Sequence, residues 1–307
     1  MKRVAFQLMM IAGIGVALQF TGCHSAKPPP PVPQAVSTAE RTASQAEKYS
    51  KNSQWPAAAK EWKRAADQYG LLNNQAEVAI AWHNLGAADA QLENFPEAMR
   101  WLEQAASLNE KLGLKEEWWR NQISLLQVEA VAKETNALNK RMETLHGQAT
   151  QLKNPSLQGL FLNELGLWEQ SRGEMGKAAT AFQQAEQQFV AGQNAAGIAT
   201  VQANQARLQE AQTNWTAALQ NWQAALKKFE VLADPPGITA ALAGLGRTCL
   251  EIKDYTRAED YLRRALRNYR TLNKETELAR TMALLKNALN AQGKEAEAKA
   301  LDPGTLK

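Results

Sequence analysis

Two kinds of apolar stripe alternate along the chain, and they keep a fixed spacing. In residues 239–278, Leu242, Leu245, Gly246 and Cys249 fall three and four apart, on one face of a helix. A turn follows at Lys253-Asp254, where Asp254 can cap a second helix whose face carries Ala258, Leu262, Ala265 and Tyr269. Steps of forty residues find the same stripes again. Ala58, Ala98, Ala178, Ala218, Ala258 and Ala298 form one column, and Ala46, Gly86, Gly166, Ala206 and Gly246 another. A third reads Ala65, Ala105, Ala185, Ala225 and Ala265. Trp62, Leu102, Phe182, Trp222 and Leu262 stand between the small residues of the second helix, and Tyr69, Phe189, Phe229 and Tyr269 recur beyond them. No strand-like alternation appears. The pattern predicts six helix pairs and a truncated seventh, beginning near Ala39, Ala79, Trp119, Gly159, Ala199, Thr239 and Ala279.

The third copy departs from the rule. Leu126, Leu138 and Leu145 stand where its sisters have glycine or alanine. The added volume predicts either a bend between the flanking copies or a pair packed in a shifted register. Pro56 and Pro96 fall in the first turn of second helices, where a missing N–H does no harm, while Pro155 and Pro235-Pro236 are expected between copies.

The run L-x-x-L-G-x-x-C followed by Y-x-x-A-x-x-x-L-x-x-A resembles the tetratricopeptide repeat. The resemblance covers roughly residues 38–301. It implies an all-α fold, a right-handed α-solenoid of about six helix–turn–helix repeats with a truncated capping repeat, each pair burying its apolar side by stacking on its neighbours. The forty-residue period is about six longer than the commonest form. It resembles the longer-repeat subclass found in some cytoskeletal adaptors and bacterial regulators, whose members usually grip an extended peptide along the concave surface.

Ahead of the repeats, residues 1–22 read as a targeting segment: Lys2 and Arg3, then an uncharged run ending at Thr21-Gly22-Cys23. Small residues just before a cysteine resemble a bacterial lipobox, with Phe20 where leucine is usual. This implies lipidation of Cys23; an uncleaved anchor or ordinary secretory signal is the other reading. His24 follows, so the aspartate that retains lipoproteins in the inner membrane is missing, and the analogy points to the outer membrane facing the periplasm. Residues 23–37 form a linker with four successive prolines, suited to an extended spacer or a disordered tether, before the repeats at 38–307. Ser37-Thr38-Ala39-Glu40 is expected to be a capping box opening the first helix.

Charge changes the picture little. Loss of Lys2 and Arg3 with the signal would take the formal net charge from +4 to +2, and no basic run interleaved with aromatics suggests nucleic acid. With Cys23 lipidated, Cys249 would be the remaining thiol, on a packed helix face and inert. His24, His83 and His146 have no metal-site spacing, the carboxylates are scattered at helical spacing, and no cofactor or catalysis is indicated. Trp55, Trp62, Trp82, Trp215 and Trp222 fall in packing columns, and Trp101, Trp118 and Trp119 are the best candidates for exposed aromatics.

The remaining face of each first helix is the candidate groove. It offers His83 and Asn84 early in the chain, then Asn163, Asn204, Arg207, Arg247, Arg280 and Asn287. Asn84 and Asn204 sit where related peptide-binding solenoids use asparagine to hold a ligand backbone, while the Lys and Asn set that clamps a terminal carboxylate is not reproduced. Alternatively, Arg207 pairs with Glu210, and Arg247 with Glu251 or with Glu210 across the stack. The expected function is a non-enzymatic, lipid-anchored periplasmic adaptor binding an extended segment of another envelope protein. The alternative is direct glycan or peptidoglycan binding through Trp101, Trp118 and Trp119.

Overall fold

A computed structural model describes residues 33–149 and 152–301. The targeting segment, Cys23 and most of the proline-rich linker lie outside the described residues. Those described are helical throughout, with no strand. They form fourteen helices in consecutive pairs: α1 (Gln34–Lys51), α2 (Trp55–Leu71), α3 (Gln75–Gln91), α4 (Phe95–Lys111), α5 (Lys115–Ala132), α6 (Thr135–Gln148), α7 (Pro155–Ser171), α8 (Met175–Ala191), α9 (Ala195–Ala211), α10 (Trp215–Val231), α11 (Pro235–Glu251), α12 (Tyr255–Thr271), α13 (Glu275–Ala291) and α14 (Glu295–Ala300). None is long and apolar enough to cross a membrane.

Within α1 to α6 and within α7 to α14 each helix packs on the next, and the short α14 ends the series, so the six pairs and truncated seventh are present as expected. The chain divides into two compact units, Met1–Thr150 and Gln151–Lys307. In the second, α7, α9, α11 and α13 lie side by side, with the even-numbered helices packed against them.

The repeat is enforced at the helix crossings. Ala58, Ala98, Ala178, Ala218 and Ala258 are fully buried. A Cβ built on Gly246 would lie 2.5 Å from Leu262 Cγ, and one on Gly86 2.9 Å from the Ala98 carbonyl oxygen. Only hydrogen fits there, which is why the columns alternate small against bulky.

The turns share one geometry. From α1 onward the residue two past most helix ends has positive φ: Ser53, Asn73, Glu93, Gly113, then Gln193, Thr213, Ala233, Lys253 and Asn273 at twenty-residue steps. In each, an N–H reaches back five residues, as from Gln54 to Tyr49 and from Asp254 to Cys249 (both 2.9 Å). That is the Schellman closure, and it satisfies carbonyls the helix leaves over. Thr213 at φ 59° is the least comfortable member, since β-branching disfavours the left-handed region.

Two details differ from the sequence reading. The first helix begins at Gln34, and Ser37 and Thr38 form no capping box; both hydroxyls donate to the Gln34 carbonyl oxygen from inside the helix, at 3.0 and 2.7 Å. Pro155 and Pro235-Pro236 are not between copies but are the first residues of α7 and α11, where their fixed φ suits the opening turn. Asn154 and Asp234 accept the capping N–H of Leu157 and Gly237.

The third pair is the exception. Leu126 and Leu145 are buried and Leu138 is half-buried, while α6 has 14 residues and approaches α5 more sparsely than any other second helix approaches its partner. Charge supplements packing there. Arg141 on α6 reaches Glu129 at 2.8 Å and Gln122 at 2.7 Å on α5, and Glu129 is only 2% exposed.

Candidate partner-binding face

All eight candidate residues lie on first helices, and the two units treat them differently. In the first unit, His83 on α3 lies at the end of a buried amide relay. Asn109 on α4 donates to the Asn121 carbonyl oxygen (2.8 Å), and the Asn121 Nδ2 lies 3.0 Å from His83 Nδ1. Because that amide nitrogen can only donate, the ring accepts at Nδ1 and carries its proton on Nε2. Burial, with Arg120 adding, lowers the His83 pKa to about 4, so the ring is neutral at pH 7. Asn84 is half-buried beside it. Asn109 occupies the column that Tyr69, Phe189 and Phe229 fill elsewhere, so a polar relay replaces an aromatic plug.

In the second unit, α7, α9 and α11 carry a connected set. Asn163 donates to Glu164 (3.2 Å), Asn204 donates to the Asn163 carbonyl oxygen (2.8 Å), and Arg207 Nη1 donates to the Asn204 carbonyl oxygen (2.8 Å). Asn163 and Asn204 are each 4% exposed. They are therefore not backbone clamps facing a ligand; their polar atoms are committed to each other and to Arg207. Their role in the fold is to hold that guanidinium.

Glu210, one turn along α9, is claimed by three other donors. Trp222 Nε1 on α10 (3.0 Å) and Thr248 Oγ1 on α11 (2.7 Å) share one oxygen, and Arg247 takes the other at 2.5 Å. Of the alternative pairings, Arg247 with Glu210 across the stack is the one formed, and Arg207 does not pair with Glu210. Instead Arg207 lies over the Trp222 ring, 5.3 Å from its centroid. Burial, then the like charge of Arg247, push the Arg207 pKa below its ordinary value. The Tyr269 phenol on α12 is raised by burial while both guanidiniums oppose the rise, which places it within their field. Arg280 and Asn287, on α13, are exposed.

The three tryptophans of the glycan reading are not an exposed platform. Trp119 is 6% exposed and meets Trp118 edge to face at 5.5 Å. Trp101 packs on Trp82 with Arg100 over its ring at 4.1 Å. Cys249 is free and buried, and burial raises its thiol to about 11, well away from a reactive thiolate. Among the described residues no group of three His, Cys, Asp or Glu side chains could hold a metal ion.

Comparison with known proteins agrees with the fold. Residues 197–271, which are α9 to α12 with Arg207, Glu210, Trp222 and Arg247, match the tetratricopeptide repeat family model. The quorum sensor NprR from B. thuringiensis, in its apo form, superposes with a TM-score of 0.67 at 10% identity, over 87% of this chain and 75% of that one. A Rap protein complexed with competence and sporulation factor gives 0.62 at 13% identity, over 87% and 78%. The apo form of RapI gives 0.57 at 10% identity, over 85% and 99%. At these identities the likeness is one of fold. No curated protein matches the chain in sequence.

Proposed function

We propose that this chain is a non-enzymatic, lipid-anchored adaptor of the bacterial cell envelope that holds an extended segment of a partner protein against its first helices. The observation that carries the reading is the row of α7, α9, α11 and α13, on which Asn163, Asn204 and Arg207 form one hydrogen-bonded chain and Glu210 and Arg247 an ion pair beside it, rather than a solvated face. Helix-repeat folds of this kind are interaction scaffolds, and one of the superposed neighbours is a complex with a signalling factor. The anchor and the outer-membrane, periplasm-facing location rest on the pattern Thr21-Gly22-Cys23-His24 after an apolar run.

The test is site-specific photo-crosslinking in cells that carry the full chain. Crosslinkers at Ala283 and Asn287, exposed on α13, are expected to trap a protein partner; one at Asp260, exposed on α12, is not. Trapping from Asp260 alone would place the partner on the second helices and overturn the reading.

A further inference from the structure

Arg207 differs from every other arginine that an ion pair explains. Arg64, Arg120, Arg141, Arg247, Arg257, Arg263 and Arg264 each reach a carboxylate within 4.0 Å. Arg207 has a neutral partner, the Asn204 carbonyl oxygen, and an aromatic floor, Trp222. The nearby carboxylate, Glu210, already accepts from Trp222, Thr248 and Arg247. Arg207 is thus left without a direct ion pair, on a partly buried face. A guanidinium has five donors in a planar fork, and Arg207 spends one on Asn204. A charge taken partly out of water without a direct ion pair is costly, and the Glu210 charge offsets that only from a distance.

The surroundings hold the side chain ready. Asn204 and Asn163 are buried and chained to Glu164, so the guanidinium is fixed from behind by hydrogen bonds that cross from α9 to α7. Trp222 is 1% exposed and itself pinned to Glu210, so the floor does not move. Such preorganisation reduces what a ligand must order on binding.

We propose that Arg207 is the receptor for a single carboxylate side chain, an aspartate or glutamate within the partner segment, with Asn163 and Asn204 as positioning residues. The proposal rests on the partner-binding reading above. A carboxylate suits the site because it matches the fork in two-toothed fashion and gives Arg207 the direct ion pair it lacks. A chain terminus is not required, since the face runs past Arg207 on both sides, to α7 and to α11.

The probe is a phage library of random dodecapeptides, selected on the full chain and followed by affinity measurement of the enriched peptides. Enriched peptides are expected to share one Asp or Glu. Changing it to Gln or Asn should weaken binding to the wild-type chain about tenfold or more, as loss of a charged hydrogen bond does. Against Arg207→Gln the same peptide change should make no further difference, and against Arg264→Gln it should still weaken binding. The peptide substitution on the wild-type chain keeps the test valid even if Arg207→Gln folds poorly. Enriched peptides without a shared acid, an acid preference that survives Arg207→Gln, or inorganic phosphate binding as tightly as the peptides would each overturn the proposal. In the first of these cases the adaptor reading stands; recovery of no peptide at all counts against both.

Discussion

The third and fifth helix pairs meet the same structural demand with opposite chemistry. In the fifth, Ala206 and Ala218 let α9 and α10 close together, Trp222 fills the space beyond, and Glu210 ties the ring's N–H to α11. In the third, Leu126 and Leu145 occupy the small positions, α6 stands off, and the buried Arg141–Glu129 pair with Gln122 joins the two helices. Small residues allow backbones to approach and so favour dispersion and apolar burial; large ones force a wider crossing where only long polar side chains reach across. The comparison shows that the period of a repeat specifies position, while the residue at each position decides which force holds it.

The largest expected effect comes from Trp222→Ala. It removes a ring that is 1% exposed and strands Glu210 without one of its donors, so a loss of about 3–5 kcal/mol is expected in denaturant unfolding. Met142→Ala, the same column in the third copy, should cost less, about 2 kcal/mol, because the sparsely packed α6 can settle into the space. Equal losses would remove the contrast between the copies.

Arg141→Ala sharpens the comparison from the other side. It leaves Glu129 buried without its cation, and loss of one partner of a buried pair typically costs about 3–5 kcal/mol. The lower end is expected because Arg141 keeps about a fifth of its surface in water. Hydrogen exchange should show the loss concentrated in α6, and protection of α6 equal to wild type would show that packing alone holds it.

His83 gives the smallest effect, one that depends on pH. Its folded pKa of about 4 lies below the ordinary 6.5, so the unfolded chain takes up a proton first as pH falls. The contribution is fully present above 6.5, is lost progressively between 6.5 and about 4, and is flat below that. Its size is at most about 3 kcal/mol. Wild type and His83→Gln, melted across this range, should converge as the pH drops; parallel curves would mean that the ring titrates normally and the relay from Asn109 does not bury it.

Much of the fold was legible because packing columns are written in residue size. Ala258, Gly246 and Leu262 announce the crossing directly. The helices start about four residues before the repeat boundaries that the stripes mark, since the first buried residue marks the face and not the cap; Asn74, Asn194 and Asp234 do the capping. The site was legible only in part. Arg207 and Arg247 could be placed on one face, but the hydrogen bond from Asn204 to Asn163 joins residues 41 apart, and a one-residue offset from the forty-residue period hides it. Nor could sequence show that Glu210 belongs to Arg247 and leaves Arg207 with an amide, because that choice depends on where Trp222 and Thr248 present their donors.

The recurring left-handed turn has a bearing on how such a chain can change length. Ser53, Thr213 and Ala233 adopt that conformation without glycine, so the joint does not depend on one residue type. From Gln193 to Asn273, two joints forty residues apart share one geometry and are interchangeable seams. A block cut out or duplicated between them returns each neighbouring helix to the geometry it had before. One extra residue inside a helix does the reverse, turning every later side chain by about 100° away from its column. The chain is built to grow by whole copies, and each added copy brings another first helix on which a new contact can be written.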